Sequence, residues 1–153
     1  MKTKSTLLVL FVLGGLLFNS GCKKEAENII DSIKTNIDVK INGDQWRTET
    51  VTSTTQNNTH IISAIKGTES LIISLTDFAV GTYPIDLTNN TAIFTNGTDL
   101  MKNIYTAGSG EVKITGIIKD GKEFEGTFSF ITINASGDVK TFTSGVLTNI
   151  LLP

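Results

Sequence analysis

Any nucleophile-and-base pair in this chain has to run through His60, because the sequence contains no other histidine. Such a base must lie within hydrogen-bond reach of its nucleophile and be oriented by a third group. His60 follows the polar run Gln56-Asn57-Asn58-Thr59 and opens an apolar segment, Ile61-Ile62, where a loop-edge imidazole with a structural role is expected. One histidine and one cysteine, Cys22, also leave a transition-metal site short of ligands. Glu123 and Glu125 stand two apart, which on a strand places them on one face about 7 Å from each other. That spacing is near the one that paired glycosidase carboxylates use. A catalytic acid also needs burial to raise its pKa, and the register derived below sets both glutamates on a solvated face beside Lys113. Asp86, Asn89, Asn90, Asn96 and Asp99 carry oxygens that Ca²⁺ accepts. Their spacing follows no calcium loop, and Asn and Asp are ordinary turn formers. Trp46 alternates with Gln45 and Arg47, so it is expected in the core. Of Trp46, Tyr83 and Tyr105, Tyr105 beside Gly108-Ser109-Gly110 is the aromatic expected to be exposed. No catalytic, cofactor-binding or metal-binding residues are assigned, and the chain is read as a non-enzyme.

The N-terminus sets the compartment. Met1-Lys2-Thr3-Lys4 is basic, Leu7 to Phe18 is a continuous apolar run, and Asn19-Ser20-Gly21-Cys22 follows, the layout of a secretory signal. As a helix that run reaches roughly 18 Å, short of the ~30 Å hydrocarbon core, so a membrane span is not expected. Cys22 directly after Ser20-Gly21 resembles the lipobox of bacterial lipoproteins, with Asn19 where that motif usually has Leu. The resemblance implies a lipoprotein signal peptide over 1–21, cleavage before Cys22, diacylglycerol on its sulfur and an acyl chain such as palmitate on its amine. The implied location is the cell outer membrane, facing the periplasm or the cell surface. Several acyl chains anchor stably where one, at ~0.8 kcal/mol per buried CH₂, is marginal. Residues 22–35 then form a polar tether. Its Lys23-Lys24-Glu25-Ala26-Glu27 resembles the surface-export signal of Bacteroidetes lipoproteins, and Asp31-Ser32-Ile33 resembles their O-glycan attachment motif, which implicates Ser32. Ala26, Ile29, Ile30 and Ile33 fall at helical spacing, so a short helix is expected over 25–34.

Without Lys2 and Lys4 the chain from Cys22 carries 11 basic and 15 acidic residues, a side-chain net of −4. A mildly acidic chain with a single arginine, Arg47, lacks the basic footprint of a nucleic-acid binder. It also lacks a polybasic patch for anionic lipid, so the lipid on Cys22 has to provide the membrane contact. The 23 Thr and 19 Ile against 2 Pro favour extended backbone.

Strands are expected near Ile37–Ile41, Gln45–Val51, His60–Ile65, Leu71–Thr76, Gly81–Leu87, Ala92–Phe94, Lys102–Tyr105, Glu111–Ile118, Glu123–Ile133 and Val139–Leu151, the last broken. Asn42-Gly43 between the first two is a short-hairpin signal, since both residues tolerate positive φ. The expected fold is all-β: a single domain over 36–153, an antiparallel β-sandwich or partly open β-barrel of about eight to ten strands. At Lys119-Asp120-Gly121-Lys122 a three-residue loop with Gly121 left-handed would set Val112 opposite Phe128, Ile114 opposite Gly126 and Gly116 opposite Phe124. That register gives one apolar face and one mostly polar face, which a two-residue Asp-Gly loop does not.

Gly126-Thr127-Phe128-Ser129-Phe130, followed by a turn and Thr143-Ser144-Gly145-Val146-Leu147, resembles a family of uncharacterised Bacteroidetes lipoproteins of unknown function. Ile41-Asn42-Gly43-Asp44-Gln45-Trp46 and Gly81-Thr82-Tyr83-Pro84 resemble that family's opening hairpin and Gly-Thr-Tyr strand, with Leu147 where an aromatic usually stands. The resemblance implies a lipid-anchored β-domain and no site to carry over. The function expected is therefore a non-catalytic binding or accessory domain for a glycan, peptide or protein partner. The alternatives are a structural envelope-assembly protein without a small ligand, or a lipocalin-like carrier of an apolar molecule.

Overall fold

The computed structural model describes residues 34–152. The expected signal segment 1–21, Cys22, Ser32 and the helix expected from Glu25 onward lie outside the described residues. Ten strands and one helical turn make up the described chain. β1 (Asn36–Ile41) buries Ile37 and Val39 completely. It turns back through Asn42 (φ 52) and Gly43 (φ 93), the two-residue hairpin that Asn-Gly favours. β2 (Asp44–Thr48) sends Trp46 and Thr48 inward. The strand expected over Gln45–Val51 ends there, and Val51 opens β3 (Val51–Gln56), a separate strand that the sequence did not mark. Thr52-Ser53-Thr54-Thr55 shows no apolar alternation, so its pleat comes from β-branched side chains and from pairing with β4 (Thr59–Lys66). Asn57 (φ 51) and Asn58 (φ 63) make that turn. β4 passes through Gly67-Thr68 into β5 (Glu69–Leu75), whose Leu71, Ile73 and Leu75 are fully buried.

β6 (Gly81–Pro84) and β7 (Thr91–Asn96) both pair with β8 (Ile104–Ile118), at different points along its length. A helical turn, α1 (Leu100–Asn103), replaces the start of the strand expected at Lys102, and β8 runs unbroken through Gly108 and Gly110. β9 (Glu123–Ile133) and β10 (Val139–Leu151) follow. β10, expected to be broken, is one strand with irregular pairing at two places, Phe142/Gly145 and Leu147/Ile150. There Ser144 (φ 55) and Asn149 (φ 47) turn left-handed.

The strand order is β2-β1-β10-β9-β8-β7-β5-β4-β3, with β6 beside the path on β8. Apart from β6 this is a meander whose first strand has met its last, so the antiparallel sheet curls into a nearly closed barrel. The one seam without a ladder lies between β2 and β3. Residues 48–50, which link those two strands, are tied instead to β4: Thr48 Oγ1 donates to Ile65 O, and Ile65 N–H donates to Thr50 O over 3.0 Å.

The β8–β9 hairpin keeps the expected pairs Val112–Phe128 and Ile114–Gly126 but not the expected loop. Ile118 faces Glu123, so the turn has four residues, and Lys119 (φ 49), Asp120 (φ 58) and Gly121 (φ 84) are all left-handed. A bulge at Thr115 absorbs the slip, pairing Gly116 with Glu125 and Ile117 with Phe124. A left-handed lysine is uncommon and has no sequence signal, which is why the register near the turn was misread.

Aromatic rings fill the barrel. Phe142 lies 5.3 Å from Phe94 and 4.7 Å from Phe130, and Phe130 stacks on Phe128 at 5.3 Å. A second group joins His60 to Phe78 and Phe78 to Phe124, each at 4.6 Å. Space for the Phe128 ring comes from Gly145 opposite: a Cβ there would meet the ring carbons at 2.6 to 2.7 Å. Gly145→Ala should therefore cost about 1–3 kcal/mol of stability, the usual penalty of overpacking a filled core. Urea unfolding checks it: an unchanged midpoint would mean that the ring moves aside freely.

Candidate binding pocket at the barrel mouth

Two tight turns set the geometry of one barrel mouth. The Asn42-Gly43 turn is tied to β10 twice: Asn42 N–H donates to Thr141 O at 2.9 Å, and Thr141 N–H donates to Asn42 Oδ1 at 2.8 Å. The Gly67-Thr68 turn sets Lys66 opposite Glu69, and Thr68 O accepts from Gly97 N–H at 3.2 Å. Between these turns and Lys140 on β10 lies a pocket of about 270 Å³. Trp46 and Phe94 are lining residues and are themselves almost wholly buried, so they form its floor.

Polar groups are fixed around that floor. Trp46 Nε1 donates to Glu69 Oε2 at 2.8 Å, a bond that crosses the barrel seam. Lys140 Nζ lies 4.8 Å from the Tyr105 ring centre and 5.9 Å from that of Phe94, while Lys66 Nζ lies 6.0 Å from that of Trp46. Ammonium groups at these distances are held by the ring quadrupoles. The arrangement offers donors and acceptors above an aromatic base, the features of a small-molecule binding site.

The residues singled out from the sequence fall mostly elsewhere. Trp46 is in the core as expected and also lines the pocket. Tyr105, expected to be exposed, is buried, because it pairs with Phe94 on the inner face and leaves Ile104 outside. Tyr83 closes a loop: its hydroxyl accepts from Ala79 N–H at 2.6 Å and donates to Ala79 O at 2.7 Å. The His60 ring is tied to Thr55 Oγ1 at 3.0 Å through Nδ1 and packs on Phe78, a structural role. Glu123, expected on the solvated face with Glu125, is buried. It shares the outer face with Glu125 but lies between Ile118 of β8 and Leu151 of β10, and its Oε1 accepts from Lys119 Nζ at 2.8 Å. Lys66, Glu69, Phe94 and Lys140 were not singled out in sequence. Gly67-Thr68 brings Lys66 to Glu69, and Lys140 reaches the mouth through β-pairing across the fold.

Asp86, Asn89, Asn90 and Asp99 build turns rather than converge on an ion, and Asn96 ends β7 opposite Glu69. Asn90 spends its side chain on Thr76 N–H (3.1 Å) and Pro84 O (3.0 Å). Asp99 O accepts from Lys102 and Asn103 N–H. No group of three or more His, Cys, Asp or Glu able to hold a metal occurs among the described residues. Asp86 Oδ1 accepts from Asn89 N–H at 2.8 Å and Thr88 N–H at 2.9 Å. These two bonds, Asn89 first, hold its carboxyl at about 2, below the usual 3.8. Because the folded value is the lower one, the loop's contribution to stability is complete above about 3.8 and is lost as pH falls toward 2. An NMR titration of the Asp86 side-chain carboxyl should show a midpoint near 2; a midpoint at the ordinary value would mean that the turn is open in solution.

No curated protein and no solved structure matches this chain. A family model described as a domain of unknown function (DUF6252) matches residues 34–151, the whole barrel. That match covers well over half of the sequence, and the chain belongs to this family.

Proposed function

We propose that the protein is a lipid-anchored lipoprotein of the bacterial cell envelope whose barrel is a non-catalytic binding module, with its ligand seated in the mouth pocket. The observation that carries the binding half is the pocket itself: about 270 Å³ with an aromatic floor and ammonium, carboxylate and amide groups around it. The rings along the barrel axis take the space that an apolar passenger would need, so the lipocalin-like carrier is the weaker alternative. The anchoring half rests on the basic start, the apolar run and Ser20-Gly21-Cys22. The outer membrane, a Bacteroidetes source and a glycan on Ser32 belong to this reading as the further consequences of that resemblance.

A second reading, an envelope-assembly protein that docks a protein partner, is favoured by one feature. Ile131, Ile133 and Val139 are each about half exposed, and Ile133 and Val139 are directly paired on the outer face of the sheet. A thermal-shift screen of the full chain in detergent against glycans, peptides and lipids separates the two. A ligand at 100 times its Kd adds about 2.7 kcal/mol, which should raise the melting temperature by about 10 °C in a domain of this size. A shift supports the binding module, and silence across the panel moves the weight to assembly. For the anchor, Cys22→Ser should release the protein from the membrane fraction of expressing bacteria into the soluble fraction; retention with the membranes would exclude anchoring through that residue.

A further inference from the structure

The two lysines at the mouth are placed where a pocket lysine paired with its own protein's carboxylates would not be. Lys66 and Glu69 face each other directly across a two-residue turn, the position in which opposite charges ordinarily pair. Instead Glu69 Oε2 takes the Trp46 indole N–H, and the Lys66 ammonium lies toward the Trp46 ring. The Lys140 ammonium lies over Tyr105 and Phe94. The ion pairs among the described residues are Lys34–Glu49 and Lys119–Glu123, both outside the pocket. Two cations thus line one pocket with rings as their neighbours and, among the described residues, no carboxylate within salt-bridge distance. An anion entering there breaks no ion pair, and it gains charge-assisted hydrogen bonds from both ammonium groups. The Asn42 amide, whose Oδ1 is taken by Thr141 N–H, adds a third donor.

The same pocket also presents the carboxylates of Glu69 and Asp44. A compact inorganic anion satisfies the ammonium groups but meets those carboxylates as like charges. A neutral sugar donates its hydroxyls to the carboxylates and accepts from the ammonium groups, but brings no negative charge to the two lysines, whose bonds to an anion are the stronger ones. A ligand carrying a carboxylate and several hydroxyls on one ring uses both sets. The volume lies just below the ~300 Å³ at which drug-sized sites begin, suited to one ring rather than an extended chain. We infer that the mouth pocket binds the ring of an acidic sugar, with its carboxylate between Lys66 and Lys140 and its hydroxyls donating to Glu69 and Asp44. This inference rests on the binding reading above and names its ligand class.

Trp46 is the only tryptophan of the chain and lies in the pocket floor, so its fluorescence reports this site alone. The full chain in detergent is titrated with glucuronate, galacturonate and N-acetylneuraminate, with glucose and sulfate as comparison probes. The expected result is a saturable change in Trp46 emission with at least one acidic sugar, absent with glucose and sulfate at the same concentrations. Lys66→Gln and Lys140→Gln keep most of each side chain's length and lose its charge. Each should weaken that binding about tenfold or more, the worth of one hydrogen bond to a charged group. An unchanged unfolding midpoint shows that the variants remain folded. Equal responses to glucose or sulfate, or lysine variants that bind as the parent does, overturn the acidic-sugar assignment. Silence from all three acidic sugars also overturns it. If another compound class shifts the melting temperature in the broader screen, the binding reading survives that result; if none does, both fall.

Discussion

A meander of antiparallel strands leaves one apolar face wet unless the sheet curls until its first strand reaches its last. Here β1 does so: Asn36, Ile37 and Asp38 pair with Thr148, Leu147 and Val146, and the ladder resumes at Lys40 and Ile41 after an irregularity. The fully buried Ile37 and Val39 and the packed rings of Phe94, Phe130 and Phe142 depend on that closure. An open sheet would leave their face in water. Bulges on β8 and β10 supply the extra twist that a sheet needs to curl this far.

The pocket follows from the same constraint. Closure leaves β2 as an edge strand lying beside the end of β4, and the hydrogen bonds from residues 48–50 and Trp46 span the gap that no ladder fills. At such a seam side chains rather than backbone groups meet across the sheet. Trp46 and Glu69 are held there by each other, and Lys66 is left to the rings. The polar mouth sits at the join of the barrel, above a floor that belongs to its core.

Local features of this fold could be read from residue types, and distant ones could not. Asn42-Gly43 specified its hairpin because few other residues accept two successive positive φ values. The Val112–Phe128 register followed from apolar alternation alone. β3 escaped notice because a threonine-rich edge carries propensity without periodicity. Tyr105 was misplaced because neighbouring glycines suggest a loop, whereas β8 continues through them as strand. Glu123 was misplaced because alternation gives the face of a residue and not its cover: the ends of β8 and β10 and the Lys119 side chain close over it on the outer side. The pocket was illegible for a different reason. Trp46, Lys66, Phe94 and Lys140 come from four separate strands, and only their tertiary arrangement makes them neighbours.

The pairing of β1 with β10 also sets a timetable for the newborn chain. Ile37 leaves the ribosome about 110 residues before its partner Leu147. At roughly 5–20 residues per second, the leading hairpin waits on the order of ten seconds for the strand that completes it. During that interval its apolar face has no permanent cover, and the strands made in between can pair only with their immediate neighbours. β10, the last of the described strands to be made, seals the barrel, so the sheet stays open until that strand has been synthesised.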